Sequence, residues 1–377
     1  MMQRMSGRTA LLVLALVVGF AAVQVNVAIA APAGAAKVLS GAKGQSGSPI
    51  EGPVLGYVFN SVQRTIHPIQ GITGAAQVGP AVASDVSFAT VAVSPTHTFA
   101  LGVEAGSGAA YFMELTPGAA TTTKVSAVNN GADRIVISPS GTAAVFYDRA
   151  NREAQVVSGL RGDRKVRGPV ALGGVAGVIS ALAVNDAGDA ILVGVSEEEG
   201  GSLYLAGPSH DLRSLTSMGR VSSVAFLPDS NDAAVADHDR NEVILMTDVV
   251  GGGGSTVIGG EQDGVMQSSV VAASADGVSI LVVSSQRSAI VRLSTSGGLP
   301  SSLDCDCRPS NLLPLVGNAV FAVSAASASP LYVYDGDRES NGQSEPRIVF
   351  VPSSEANLVA EPAPAASRRL PRGRSRR

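Results

Sequence analysis

Ile135-Val136-Ile137-Ser138-Pro139-Ser140-Gly141, followed by Ala143-Ala144-Val145-Phe146, sets two short apolar runs on either side of a polar turn. Proline presets φ at the second position of a tight turn, and glycine takes a corner with φ > 0. The stretch therefore reads as two antiparallel strands joined by a hairpin. Five others resemble it: Val91 to Leu101 around Ser94-Pro95, Leu182 to Val193 around Asn185-Asp186-Ala187-Gly188, Val224 to Val235 around Leu227-Pro228-Asp229, Ala272 to Val283 around Ser274-Ala275-Asp276-Gly277, and Leu312 to Val323 around Leu315-Val316-Gly317-Asn318.

With Pro95, Pro139, Asp186, Pro228, Ala275 and Pro314 taken as equivalent, the copies are spaced by 44, 47, 42, 47 and 39 residues. Repeats of about 40 to 50 residues are the length of a four-stranded propeller blade. The apolar runs are nearly continuous, as in Ile191-Leu192-Val193 and Ile280-Leu281-Val282-Val283, the pattern of strands buried on both faces. After each hairpin a polar loop leads into a third strand, as Tyr147 to Arg152 leads into Ala154 to Val157. Because these loops occupy one place in the repeat, they are expected to line one edge of a disc. Val54 to Phe59 and Thr65 to Ile69 begin the ring part-way through a blade, and Leu331 to Tyr334 with Arg347 to Val351 are placed to close it. The sequence thus predicts an all-β fold, a β-propeller of four-stranded antiparallel blades. Six full copies plus the leading pair make six or seven blades, with seven preferred.

The Ser-Pro-Ser-Gly and Ser-Ala-Asp-Gly copies resemble the Ser-Pro-Asp-Gly hairpins of YVTN and WD-repeat-like bacterial propellers, over nearly the whole of residues 52–352. Only Pro95 and Pro139 keep Ser-Pro, and the YVTN run itself is absent. The resemblance implies architecture; among propellers of this broad kind some are lactonase-like and others bind partners or metals, so activity has to be argued from a site.

The ends of the chain read differently from its body. Residues 1–30 form an expected signal peptide, with Arg4 and Arg8 before an apolar run from Leu11 and the small-residue pattern Ala28-Ile29-Ala30 before Ala31. The run is shorter than the roughly 20 residues of a spanning helix, so no transmembrane segment is expected after cleavage and the protein is expected in the periplasm or outside the cell. Residues 31–51 read as a flexible linker, 52–352 as the propeller domain and 353–377 as a disordered basic tail. Within it, residues 361–377 carry Arg368, Arg369, Arg372, Arg374, Arg376 and Arg377 against Glu361 alone. It is suited either to contact anionic surfaces or simply to stay solvated. Without residues 361–377 and the signal, the chain holds 19 basic and 30 acidic residues.

Composition excludes several classes. Trp is absent and aromatic residues make up 4% of the chain, too few for an extended stacking platform, so specific nucleic-acid binding is not expected. Cys305 and Cys307 are the two cysteines, and in an exported chain an even pair reads first as a local disulfide, then as free thiols, and last as a redox or metal site. His67, His97, His210 and His238 lack the spacing of a zinc site; no metal or cofactor is expected.

Asp237-His238-Asp239-Arg240 is the densest polar stretch, an imidazole between carboxylates, yet neighbours in an extended loop point apart. Glu197-Glu198-Glu199 lacks the alternate spacing of a calcium loop. Gly251 to Gly254 lacks a phosphate-binding lysine and reads as an inter-blade connection. No Gly-x-Ser-x-Gly elbow stands between a strand and a helix, and no catalytic residue is assigned. The residues expected on the loop face are Asp148, Arg149, Glu197, Glu198, Asp237, His238, Asp239, Arg240 and Arg287. The expected function is a monomeric, non-catalytic binding or scaffold protein that uses these loops to contact a protein or polymer partner. The alternative is a lactonase-like hydrolase or lyase with its site at the central channel mouth.

Overall fold

The computed structural model describes residues 52–207, 211–326, 330–340 and 342–353. The expected signal peptide, the linker to Glu51, His210 and residues 354–377 lie outside the described residues. Among the described residues one single-turn 3-10 helix, Glu261–Asp263, interrupts an otherwise all-β structure.

The strands form seven consecutive antiparallel sheets, each built from its own segment of chain in sequential order. Five have four strands, and in the third two short strands, Lys165–Val166 and Val170–Ala171, both pair with Glu153–Ser158 and share the outer position. The second, for example, pairs Phe88–Val93, Phe99–Glu104, Ala110–Thr116 and Ala119–Lys124 in that order. The first has three, Val54–Asn60, Thr65–Ile72 and Ala75–Val78. These match the second, third and outer strands of the other sheets, so among the described residues the ring does begin part-way through a blade. The last sheet also carries a small hairpin, Glu339–Ser340 with Gln343–Ser344, between its third and outer strands.

Burial explains the continuous apolar runs. In Ala143–Asp148, Ala143, Val145 and Tyr147 pack toward the fourth sheet, while Ala144 and Phe146 pack toward the second. In Ser279–Ser284, Ile280 and Val282 face the fifth sheet, and Leu281 and Val283 the seventh. A strand's side chains alternate between its two faces, so each second strand supplies half of two different cores. Seven such cores lie between successive sheets. The one made by Leu55, Val58 and Ile69 with Leu315, Val320 and Val333 joins the last sheet to the first.

That seam is also hydrogen-bonded. Val316 N donates to Leu55 O and Val78 N to Pro352 O, each at 2.8 Å. Arg347 bonds buried Asp335 at 3.1 Å and, from the same Nη2, the Thr73 carbonyl of the first sheet at 3.1 Å. The chain is therefore a seven-bladed propeller, the preferred of the two counts.

The turns between first and second strands follow one design. In four of them the fourth residue donates its N–H to the first residue's carbonyl at 2.9 Å: His97 to Ser94, Gly141 to Ser138, Gly188 to Asn185 and Gly277 to Ser274. The first side chain then accepts from the strand beyond, as Ser138 Oγ does from Ala143 N and Asn185 Oδ1 from Ala190 N. The fourth residue has positive φ, 75° at Gly141 and 65° at Gly188, which glycine adopts without penalty.

Two expectations are corrected. The seventh blade's equivalent of Pro95 is Val316, because Leu315 N closes the turn on Val320 O; Pro314 lies two residues earlier, in the inner strand. Gly251 to Gly254 is not an inter-blade connection. It forms the turn between Glu242–Met246 and Ser255–Gly259 within the fifth blade, where Gly252 N and Gly253 N donate to Asp248 O. A side chain at Gly253 would meet the Thr247 carbonyl at 2.2 Å, so backbone proximity selects glycine there.

Leu192 is fully buried between the fourth and fifth blades. Leu192→Ala is expected to cost about 2–5 kcal/mol by loss of contact and cavity formation, read as a lowered urea midpoint at unchanged slope; a loss below about 1 kcal/mol would contradict the shared-core arrangement.

Candidate functional site

Antiparallel alternation puts every turn between first and second strands at one end of the sheets, the inner-turn face. Every loop between second and third strands lies at the other, the loop face. All nine residues expected at the loop face lie there: Asp148 and Arg149 in the third blade, Glu197 and Glu198 in the fourth, Asp237 to Arg240 in the fifth and Arg287 in the sixth.

Their contacts show how the loops are built. Asp148 accepts from Asn151 N and Asn151 Nδ2, at 3.0 and 2.7 Å. Asp237 is fully buried and accepts from Gly219 N at 2.7 Å and Arg240 N at 3.0 Å, with Arg240 Nε 3.7 Å away. These are Asx turns, in which a short carboxylate replaces a backbone acceptor; Asn60 caps the first blade's loop in the same way. Asp239 pairs with Arg220 at 2.9 Å. Burial opposes ionisation of Asp239, but the hydrogen bonds and charge of Arg220 outweigh it and hold the carboxyl below the ordinary aspartate range. His238 Nδ1 lies 3.1 Å from the Ser268 carbonyl. Arg149 pairs with Asp133 and Arg287 with Asp304, at 3.3 and 3.8 Å. Glu197 and Glu198 are exposed and enter none of the ion pairs found among the described residues.

The loop face thus carries both charge signs, tied loop to neighbouring linker, but the nine residues do not converge on one point. Among the described residues no three His, Cys, Asp or Glu side chains stand together to hold a metal. Cys305 and Cys307, with Cα atoms 4.9 Å apart, are joined as a disulfide beyond the outer strand of the sixth blade.

Toward the axis at this same end, the polar groups of the inner strands turn sideways. Arg134 donates from both Nη atoms to Ser180 O at 3.2 Å, Ser180 Oγ to Val221 O, and Ser222 Oγ to Ser268 O at 2.7 Å. Each link crosses from one blade to the next. Burial, and then Arg149 nearby, pull the Arg134 pKa below its ordinary value.

The opposite end of the axis opens as a cavity of about 370 Å³ at the inner-turn face. Val93, Ile137, Val184, Phe226, Ala273 and Leu313 line it, with Pro95, Pro139 and Pro228 on its rim. Among the described residues the first blade contributes none to the lining. Ser138 and Ser274 also border it, and their hydroxyls are engaged in the turns already described. The wall offers shape and apolar contact without a nucleophile beside a base.

Sequence reasoning passed over His97. It occupies the turn position held by glycine in three other copies, at φ 56°, and is 7% exposed at the junction of the first, second and seventh blades. Its Nδ1 accepts the Tyr57 N–H at 3.2 Å, which requires a neutral ring. Alignment of the copies carries the signal, since His97 is the exception where Gly141, Gly188 and Gly277 stand.

No protein-family model matches the chain, and no curated protein matches it. Solved structures resemble it. A functionally unknown protein from Desulfotomaculum acetoxidans DSM 771 is 16% identical, with a TM-score of 0.52 over 79% of this chain and 99% of that one. Hydrazine synthase from Kuenenia stuttgartiensis is 12% identical, TM-score 0.48, over 82% and 99%. Streptogramin B lyase is 12% identical, TM-score 0.48, over 69% and 81%. The first of these likenesses is one of fold.

Burial lowers the His97 pKa from 6.5 to about 4, and the Pro314 carbonyl, which favours the protonated ring, offsets only part of this. The unfolded chain therefore binds a proton that the folded chain refuses. Stability is full above pH 6.5 and falls as the pH drops from 6.5 to about 4, by about 3 kcal/mol in all. His97→Asn keeps an acceptor and tolerates positive φ; it is expected to flatten that part of the stability–pH profile in urea titrations. Parallel profiles for the two proteins would contradict a buried neutral imidazole.

Proposed function

We propose that this protein is an exported, non-catalytic binding or scaffold protein whose loop face contacts a protein or polymer partner. The observation that carries this reading is the fate of the polar groups. At the inner-turn face the axial cavity is walled by apolar side chains, and at the other end the inner-strand polar groups are bonded into neighbouring blades. A propeller hydrolase needs several uncommitted polar side chains converging on the axis from different blades. The charged loops instead present a broad, rigidly backed surface of mixed sign, the kind on which complementary charge sets orientation and partner choice. The degenerate hairpins further support a place among the YVTN and WD-repeat-like propellers. Export rests on the sequence of residues 1–30, and no helix among the described residues is long and apolar enough to cross a membrane.

A photo-cross-linking amino acid placed at Arg149, Arg240 or Arg287 is expected to give discrete adducts with one partner in the native compartment. The exported chain is expected to begin at Ala31 by intact mass. Absence of adducts from all three positions would contradict the loop-face assignment. Turnover of a lactone or glycan panel by the purified protein, abolished by substitutions at the axial cavity that leave the fold intact, would contradict the non-catalytic reading.

A further inference from the structure

The inner-turn face differs from the loop face in charge as well as shape. Its six inner turns carry five carboxylates, Asp186, Asp189, Asp229, Asp232 and Asp276, and no lysine or arginine of their own, while Arg161, from the connection after the third blade's third strand, bonds the Ser140 carbonyl. None of the five enters an ion pair among the described residues. Asp276 stays ionised: burial opposes this, but hydrogen bonds led by those from Ser274 Oγ and Val278 N prevail. Val278 and Val316, in the inner turns of the sixth and seventh blades, are about half exposed, at 51% and 52%. An apolar cavity inside an acidic rim suits a ligand with an aliphatic anchor between cationic residues.

Such a segment exists in this chain. Arg368-Arg369-Leu370-Pro371-Arg372 places one leucine and one proline between three arginines, in a stretch whose other charges are also basic apart from Glu361. We propose that this segment docks on the inner-turn face of its own propeller, with Leu370 in the axial cavity and the flanking arginines against the Asp186, Asp229 and Asp276 carboxylates. Leu370 lies 17 positions beyond Ser353, about 55 Å of extended chain. That exceeds the roughly 20 Å length of the six-residue strands and reaches the axis from the rim. The apolar contact supplies anchoring, and the charges supply orientation and salt sensitivity. A docked tail leaves the loop face open, so the two faces act independently and failure of this proposal leaves the loop-face reading standing.

The full chain with Leu370 replaced by p-benzoylphenylalanine, irradiated at low salt, tests this directly. Mass spectrometry is expected to locate intrachain adducts on the cavity wall and rim, within residues 92–95, 135–139, 224–228 or 271–275. The triple substitution Asp186→Asn, Asp229→Asn and Asp276→Asn is expected to lower the adduct yield at least fivefold. Because Asp186 also braces a turn, Leu370 adducts in the otherwise unaltered chain at 0.5 M salt provide a second reading, expected to fall severalfold. Adducts confined to the loop face, predominantly interchain adducts, no adduct, or a yield indifferent to both treatments would each overturn the proposal.

Discussion

Each sheet in this protein has two apolar faces and no means of covering either by itself. In a soluble sandwich a sheet turns one face to water and can alternate polar with apolar residues. Here Ala143–Asp148 and Ser279–Ser284 bury successive side chains on opposite sides, so every blade needs a neighbour on both flanks. An open stack would leave two faces bare, one at each end. Closing the stack on itself removes both, and the core of Leu55, Val58 and Ile69 against Leu315, Val320 and Val333 is where that happens. The Arg347 bridge from Asp335 to Thr73 reinforces it with a charge-assisted hydrogen-bond pair.

Closure determines what the two ends of the disc can do. Inner turns must sit side by side around a narrow axis, so they are short and rich in proline and glycine, and they stitch to one another: Ser140 N donates to Asp186 Oδ1, and Asp276 N to Asn318 Oδ1. The loops at the far end lie under no such constraint and hold the mixed charges. A surface that varies over a scaffold that does not is the usual arrangement for recognition. The axial cavity arises from the same geometry, since six inner strands converge there while the first sheet, as described, contributes none.

Much of this was legible in the sequence. Six hairpins at near-constant spacing revealed the blade, and continuous apolar runs revealed two-sided burial. The register of the last copy was less clear, because Leu313-Pro314-Leu315-Val316 offers a proline two residues before the true turn. Gly251 to Gly254 was assigned to the wrong kind of connection because glycine composition indicates a turn but not which strands it joins. The repeat marks which connections hold the charged residues, while their use within Asx turns depends on backbone geometry that spacing does not encode. His97 was hidden for a different reason: its importance lies in a contact from the second blade to the first, forty residues from Tyr57 in the chain.

The account stands on closure, and native-state hydrogen exchange measures it most directly. In a closed ring the paired amides of Val54–Asn60 in the first sheet should open only with the whole domain, with protection within about tenfold of that in Ile191–Ser196 of the fourth. If the first and last sheets exchange orders of magnitude faster than the middle ones, as terminal units of an open array do, the ring is not closed and the account is wrong.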